Sequence, residues 1–134
     1  MAYLLDTNLC AAYLNGRSPA IRQRLDSMAA ESLFVCSVVR AELLFGAAKS
    51  QNPTVTEAKQ RAFLNRFVSL PFDDSAAAVY AKIRADLERR GEMIGANDLM
   101  IASIALANNL AVVTHNVSEF GRIAGVRLED WQTD

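Results

Sequence analysis

Three short runs constrain this chain more than anything else in it: AYLL at residues 2–5, SLFVC at 32–36 and LAVVT at 110–114. A strand with one wetted face alternates apolar and polar side chains. These runs do not alternate, so both of their faces require cover. Strands buried on two sides belong to parallel sheets flanked by helices, and the stretches between the runs supply helices. The predicted fold class is therefore α/β, a three-layer sandwich with a central, mainly parallel sheet.

Helix signals punctuate the intervals. Thr7 or Asn8 can cap a short helix that stops at Gly16. Ser18 as cap, with Pro19 at the first helical position, starts the next one, SPAIRQRLDSMAA. Ser37 caps VVRAELLFGAAKS, NPTVTEAKQRAFLNRF is helical after its opening turn, and SLPF at 69–72 reads as a short strand. DDSAAAVYAKIRADLERRG has acids at its start, Arg89 and Arg90 in its last turn and Gly91 as stop, the polarity a helix dipole favours. IGANDLMIASIALANN gives one further helix, and VRLEDW at 126–131 reads as an edge strand. Neither a repeat nor a linker breaks the chain, which reads as one domain over residues 1–134.

A chain of this length buries about two-thirds of its unfolded surface without covalent staples. With 51% hydrophobic residues and a mean hydropathy of +0.10, it is globular rather than disordered. Its apolar runs fall short of the ~20 residues that a bilayer demands. The apolar start breaks at Asp6 with no basic stretch before it, so neither a membrane span nor a signal peptide is expected. Cys10 and Cys36 lie in apolar segments without Cys/His metal spacing, which fits buried thiols of a cytoplasmic protein.

The first buried strand runs straight into a charge, Asp6. In open α/β sheets ligands bind beyond the carboxyl ends of the strands, where the strand order reverses. Asp6 stands at such an end. Glu42 lies in the second turn of the helix after SLFVC, among Ala41, Leu43 and Leu44. Asp98 opens the helix NDLMIASIALA, and Glu119 follows LAVVT across the loop HNVSE. Each has a plainer reading alone: a helix cap for Asp6, a dipole partner for Asp98, a solvated loop acid for Glu119. Glu42 resists one, because acids are rarely buried without a partner. Four carboxylates at one rim cannot all ionise without a counter-charge. Oxygen donors suit Mg²⁺ or Mn²⁺, and the lack of further Cys or His ligands disfavours zinc. One or two such ions can activate water and stabilise the leaving oxygen of a phosphodiester.

The net charge of −1 looks unfavourable for a nucleic-acid partner. Set aside four of the 15 acids as a metal site, however, and 11 acids face 14 Lys and Arg. A basic surface around an acidic hole is compatible with that balance. Arg40 and Lys49 flank Glu42 on its helix, and AAKSQNP can approach phosphates.

With these residues in view, the chain resembles the PIN-domain ribonucleases, and within them the VapC-type toxins of bacterial toxin–antitoxin pairs. The resemblance rests on LLDTN (4–8), AELLFGAAKS (41–50), NDLMIASIA (97–105), VVTHNVSEF (112–120) and GVRLEDW (125–131), in that order and spacing. It implies a PIN-like α/β/α fold and a Mg²⁺-dependent endoribonuclease, with Mn²⁺ as a substitute. Asp6, Glu42, Asp98 and Glu119 match the family's acidic metal site, and Thr7, Asn8 and Asn116 its polar supporting residues. GAAKS and the RLEDW tail are similar to the subset that cuts initiator tRNA in the anticodon stem-loop. The resemblance further implies a VapB-type antitoxin that blocks the acidic pocket, and a homodimer. An arginine from the antitoxin is the natural plug, since its guanidinium matches carboxylates in pairs. The Arg-flanked helical segments IRQRL and LNRFV offer grooves for a partner helix, with core packing as the other reading.

Two positions depart from the family pattern. Many PIN domains carry aspartate where this chain has Glu119, which leaves direct and water-mediated metal contact both open. His115 stands where relatives more often carry Asn or Arg, and reads as a substrate or surface contact rather than a general base. Other function classes fit less well. A haloacid-dehalogenase-like phosphohydrolase, the alternative enzyme, needs a second acid where Asn8 stands. A Ser-His-Asp hydrolase lacks its GxSxG elbow. A non-catalytic PIN-fold binding module would be expected to have lost one of the four acids.

Overall fold

The computed structural model describes residues 1–132. Five strands form one sheet: β1 (Tyr3–Leu5), β2 (Leu33–Cys36), β3 (Val68–Leu70), β4 (Ala111–Val113) and β5 (Leu128–Glu129). Their order is β3-β2-β1-β4-β5 and every neighbouring pair is parallel. The sheet is thus wholly parallel among the described residues. Helices α1 (Thr7–Asn15), α2 (Pro19–Asp26), α3 (Ser37–Ala48), α4 (Pro53–Leu64), α5 (Asp74–Arg90), α6 (Ala96–Ala107) and α7 (Val117–Phe120) supply the crossovers. Helices α1 to α4 pack among themselves, and α5 packs along α6.

All three residues of β1 and all three of β4 are buried, the two-sided cover that their lack of alternation demands. Leu5 pairs with Val113, so the two central strands end level with each other. From β1 the chain winds to one edge through β2 and β3, then returns to build β4 and β5 on the other side. The reversal falls between β1 and β4. Asp6 and Thr114, the next residue of each strand, therefore face the crevice where such sheets take ligands.

Several boundaries differ from the sequence reading, each for a local reason. Asp6 itself caps α1, its side chain accepting the Leu9 N–H, so neither Thr7 nor Asn8 serves as the cap. Ser37 is the first residue of α3 rather than its cap; its hydroxyl receives the Phe72 N–H. The third strand covers 68–70, not 69–72, because Pro71 has no N–H to give a ladder. Glu119 lies within the short helix α7 rather than in a loop.

Other signals match closely. Gly16 ends α1 at φ 66°, where glycine avoids the Cβ penalty of a left-handed residue. Ser18 is buried, and its Oγ accepts the Ile21 N–H at 3.3 Å just before Pro19. Replacing Ser18 by Ala is expected to cost about 1 kcal/mol, read as a lowered urea midpoint at constant slope. Cys10 and Cys36 are buried free thiols. Among the described residues no helix is long and apolar enough to cross a membrane.

Candidate active site

Asp6 leaves β1 at the switch point while still bound to the sheet, its N–H donating to the Val113 carbonyl at 3.2 Å. Only 3% of the residue is exposed. Its Oδ1 accepts the Leu9 N–H at 2.8 Å, and the nearby Thr114 hydroxyl favours the charge of the same carboxylate. Burial pushes the Asp6 carboxyl up to about 6; the charges of Asp98 and Glu42 add to that rise, while the Thr114 hydroxyl and the Leu9 N–H oppose it. One residue therefore does two jobs, capping a helix and holding a buried charge at the sheet's edge.

The other three acids come from different elements. Asp98, half-buried in the first turn of α6, is raised by burial and then by the charges of Glu119 and Glu42. Asn116 opposes that rise, its Nδ2 donating to Asp98 Oδ2 at 3.4 Å and to Glu119 Oε2 at 2.5 Å. Glu42 of α3 accepts from the Thr7 hydroxyl. The four carboxylates thus meet on one side of the sheet's carboxyl rim, with Asp98 feeling both glutamates and Asp6 feeling Asp98 and Glu42. Glu42 lies on the same side as Asp6.

Whether this rim suits a divalent cation turns on charge and donor type. The side chains that meet here offer carboxylate, amide and hydroxyl oxygens, the hard donors that Mg²⁺ and Mn²⁺ take. Among the described residues no Lys or Arg pairs with any of the four acids, so their charge is unbalanced from within the chain. The donor chemistry fits. Among the described residues, however, no three His, Cys, Asp or Glu side chains are grouped closely enough to hold a metal ion. Glu42 and Glu119 instead lean on Thr7 and Asn116.

Of the polar supporting residues, Thr7 and Asn116 touch acids of the rim, whereas Asn8 is exposed and lines the cavity beside it. Sequence reasoning missed Thr114. It is 1% exposed, and its hydroxyl also accepts the Asn116 N–H at 2.9 Å, joining Asp6 to the α7 side of the site. The signal was present, since a polar residue closing an otherwise apolar strand at a ligand edge calls for a partner. The tail carries a second missed feature, the contact of Asp130 with His115 at 2.9 Å.

The segments read as partner grooves pack differently. Ile21, Leu25, Leu64 and Phe67 are buried in the core. Arg22 and Arg66 lie over the Tyr13 ring, and Arg66 also pairs with Asp26. Core packing is therefore the role of the apolar positions in IRQRL and of Leu64 and Phe67, whereas Val68 is exposed on β3. Lys49 sits over the Phe45 ring at 4.9 Å on the exposed side of α3.

The family model described as PIN domain matches residues 3–126. A protein named Ribonuclease VapC2 from Rickettsia felis is 37% identical over 132 residues, 98% of each chain. One named tRNA(fMet)-specific endonuclease VapC from Shigella flexneri is 37% identical over 131 residues, again 98% of each. Among solved structures, VapBC2 from Rickettsia felis bound to a DNA fragment from its promoter contains a chain that superposes with a TM-score of 0.91 at 36% identity. That match covers 98% of this chain and 99% of the other. A parallel sheet whose switch point gathers four acids, matched along almost its whole length by such relatives, places this chain in the PIN domain family, among the VapC-type ribonucleases.

Proposed function

We propose that this protein is a metal-dependent endoribonuclease, the toxin of a toxin–antitoxin pair, which cuts tRNA and so blocks translation. The anticodon stem-loop of initiator tRNA is the favoured target. The observation that carries the reading is the acidic rim. Asp6, Glu42, Asp98 and Glu119 share one end of the sheet, raise one another where a shift is resolved, and among the described residues pair with no Lys or Arg. The name of the Shigella flexneri relative supports tRNA(fMet) as substrate. The VapBC assembly of the Rickettsia felis relative supports a VapB-type antitoxin.

Asp6, Asp98, Glu42 and Glu119 are the residues that would hold Mg²⁺, or Mn²⁺ in its place. When bound, such an ion makes water acidic enough to attack a phosphodiester and offsets charge on the leaving oxygen. The chain's own part is positioning. Thr7 fixes Glu42, Asn116 spans Glu119 and Asp98, and Thr114 orients Asp6. Burial of Asp6 keeps bulk water from screening the charge it presents. The protein acts in the cytoplasm, where tRNA is, as a homodimer held in check by its antitoxin.

Thr114→Val keeps the shape of the strand end but removes a hydroxyl that favours the Asp6 charge and accepts from the Asn116 N–H. Cleavage is expected to fall about 10- to 100-fold, as for outer partners of metal ligands, with the unfolding midpoint little changed. The test of the reading itself uses purified protein, initiator tRNA and Mg²⁺. Cuts confined to the anticodon stem-loop, lost with EDTA, are expected. Intact tRNA together with hydrolysis of p-nitrophenyl phosphate would favour the phosphohydrolase alternative instead.

A further inference from the structure

We infer that a cavity beside the acidic rim, walled by Arg17, His115 and three side-chain amides, is the subsite for an RNA backbone phosphate next to the scissile one. The inference rests on the ribonuclease reading above and deepens it. The cavity holds about 400 Å³ and is lined by Asn8, Arg17, His115, Asn116 and Gln132. Asn116 belongs to both places, since its amide also reaches Asp98 and Glu119. A chain of nucleotides with one phosphate at the acids would therefore run its neighbour into this cavity.

The lining suits an anion on RNA rather than a cation or an apolar group. Asn8 and Gln132 carry amide N–H donors and Arg17 a guanidinium, while the Asn116 amide is held by Asp98 and Glu119. Among the described residues Arg17 forms no ion pair, so its charge is left for a ligand. His115 is exposed, yet its ring is not free to swing. Asp130 Oδ2 lies 2.9 Å from Nδ1, while Asp130 Oδ1 receives the Gln132 N–H at 2.9 Å. A carboxylate can only accept here, so Nδ1 carries the proton; on a neutral ring that leaves Nε2 an acceptor, fit for a ribose 2′-hydroxyl beside the phosphate. On the side away from the acidic rim Asp130 contacts the lining, and both of its oxygens are already engaged. His115 and Asp130 are positioning residues in this arrangement, and Arg17 is the charge that meets the phosphate.

The test measures binding apart from cleavage. Fluorescein-labelled initiator-tRNA anticodon stem-loop is titrated into Asp6→Asn protein, alone and combined with Arg17→Ala, Arg17→Lys, His115→Ala or Asp130→Asn, across a range of salt. Arg17→Ala is expected to flatten the slope of log affinity against log salt by about 0.7, the value for one single-strand phosphate contact. Arg17→Lys keeps the charge and should keep the slope. His115→Ala and Asp130→Asn should each weaken binding roughly three- to tenfold, the size of one net hydrogen bond. A role confined to stability would leave the slope unmoved in all of them. Unchanged slope and affinity in Arg17→Ala, while the wild type cuts RNA, would overturn the subsite and leave the nuclease standing. No binding by the Asp6→Asn parent, and no RNA cleavage by the wild type, would remove both.

Discussion

Asp6→Asn should abolish RNA cleavage and at the same time make the metal-free protein more stable. The two effects share one cause. A carboxyl that ionises near 3.8 when unfolded and at about 6 in the fold is held charged at neutral pH at a cost of about 3 kcal/mol. Asparagine removes that charge but keeps a side-chain oxygen for the Leu9 N–H, so the cap of α1 survives. Most of the cost should be recovered, as a rise of about 2 kcal/mol in unfolding free energy and several degrees in melting temperature. Losing a metal-holding charge costs several kcal/mol of transition-state stabilisation, hence a fall in rate of about a thousandfold or more. A variant that is stabilised yet still cuts would show that Asp6 is a buried charge without a catalytic role. One that is destabilised would show that its burial is not the strain described here.

The second large effect is on the pH dependence of stability. For Asp6 the folded carboxyl ionises at about 6, above its unfolded value, because burial disfavours the charge. Between the two values the unfolded chain has released a proton that the folded chain retains. Stability is therefore full in acid and is lost as pH rises from about 4 through 6, by about 3 kcal/mol for Asp6. Asp98 is raised as well and adds in the same direction. This contribution slopes opposite to that of acids paired with a base, such as Asp26, whose carboxyl is lowered by its bond from Tyr13 and by Arg66. Divalent ions bind the ionised acids, so Mg²⁺ should stabilise strongly at about pH 7.5 and little at about pH 5. Urea unfolding in EDTA and in Mg²⁺ at both values measures this directly. Equal stabilisation at both would contradict a carboxylate site.

Much of this was legible from the chain because the physics was local. AYLL and LAVVT showed no alternation, and β1 and β4 are indeed buried on both faces and central. Pro19 after Ser18, and Gly16 and Gly91 as stops, are signals set within one turn of a helix. What misled were positions with two competent candidates. Asp6, Thr7 and Asn8 can all cap a helix, and only the register of β1 against β4 shows that Asp6 does so. That the four acids fall at strand ends and early helical turns was legible, since the switch point of a parallel sheet brings such positions toward one rim. Their partners were less so. Thr114 to Asp6 and Asn116 to Asp98 depend on side-chain directions across strands and helices distant in sequence. The cavity at Arg17 and His115 joins the end of α1 to the tail after β5, a juxtaposition that no local pattern encodes.

RNA cleavage at the acidic rim is tested most directly by sequencing RNA 5′ ends in cells after brief induction of the protein, with the Asp6→Asn variant induced in parallel. New 5′ ends within the anticodon stem-loop of initiator tRNA, in wild-type cells alone, are the predicted result. Identical 5′ ends in the two cultures, with growth arrested only in the wild type, would contradict it.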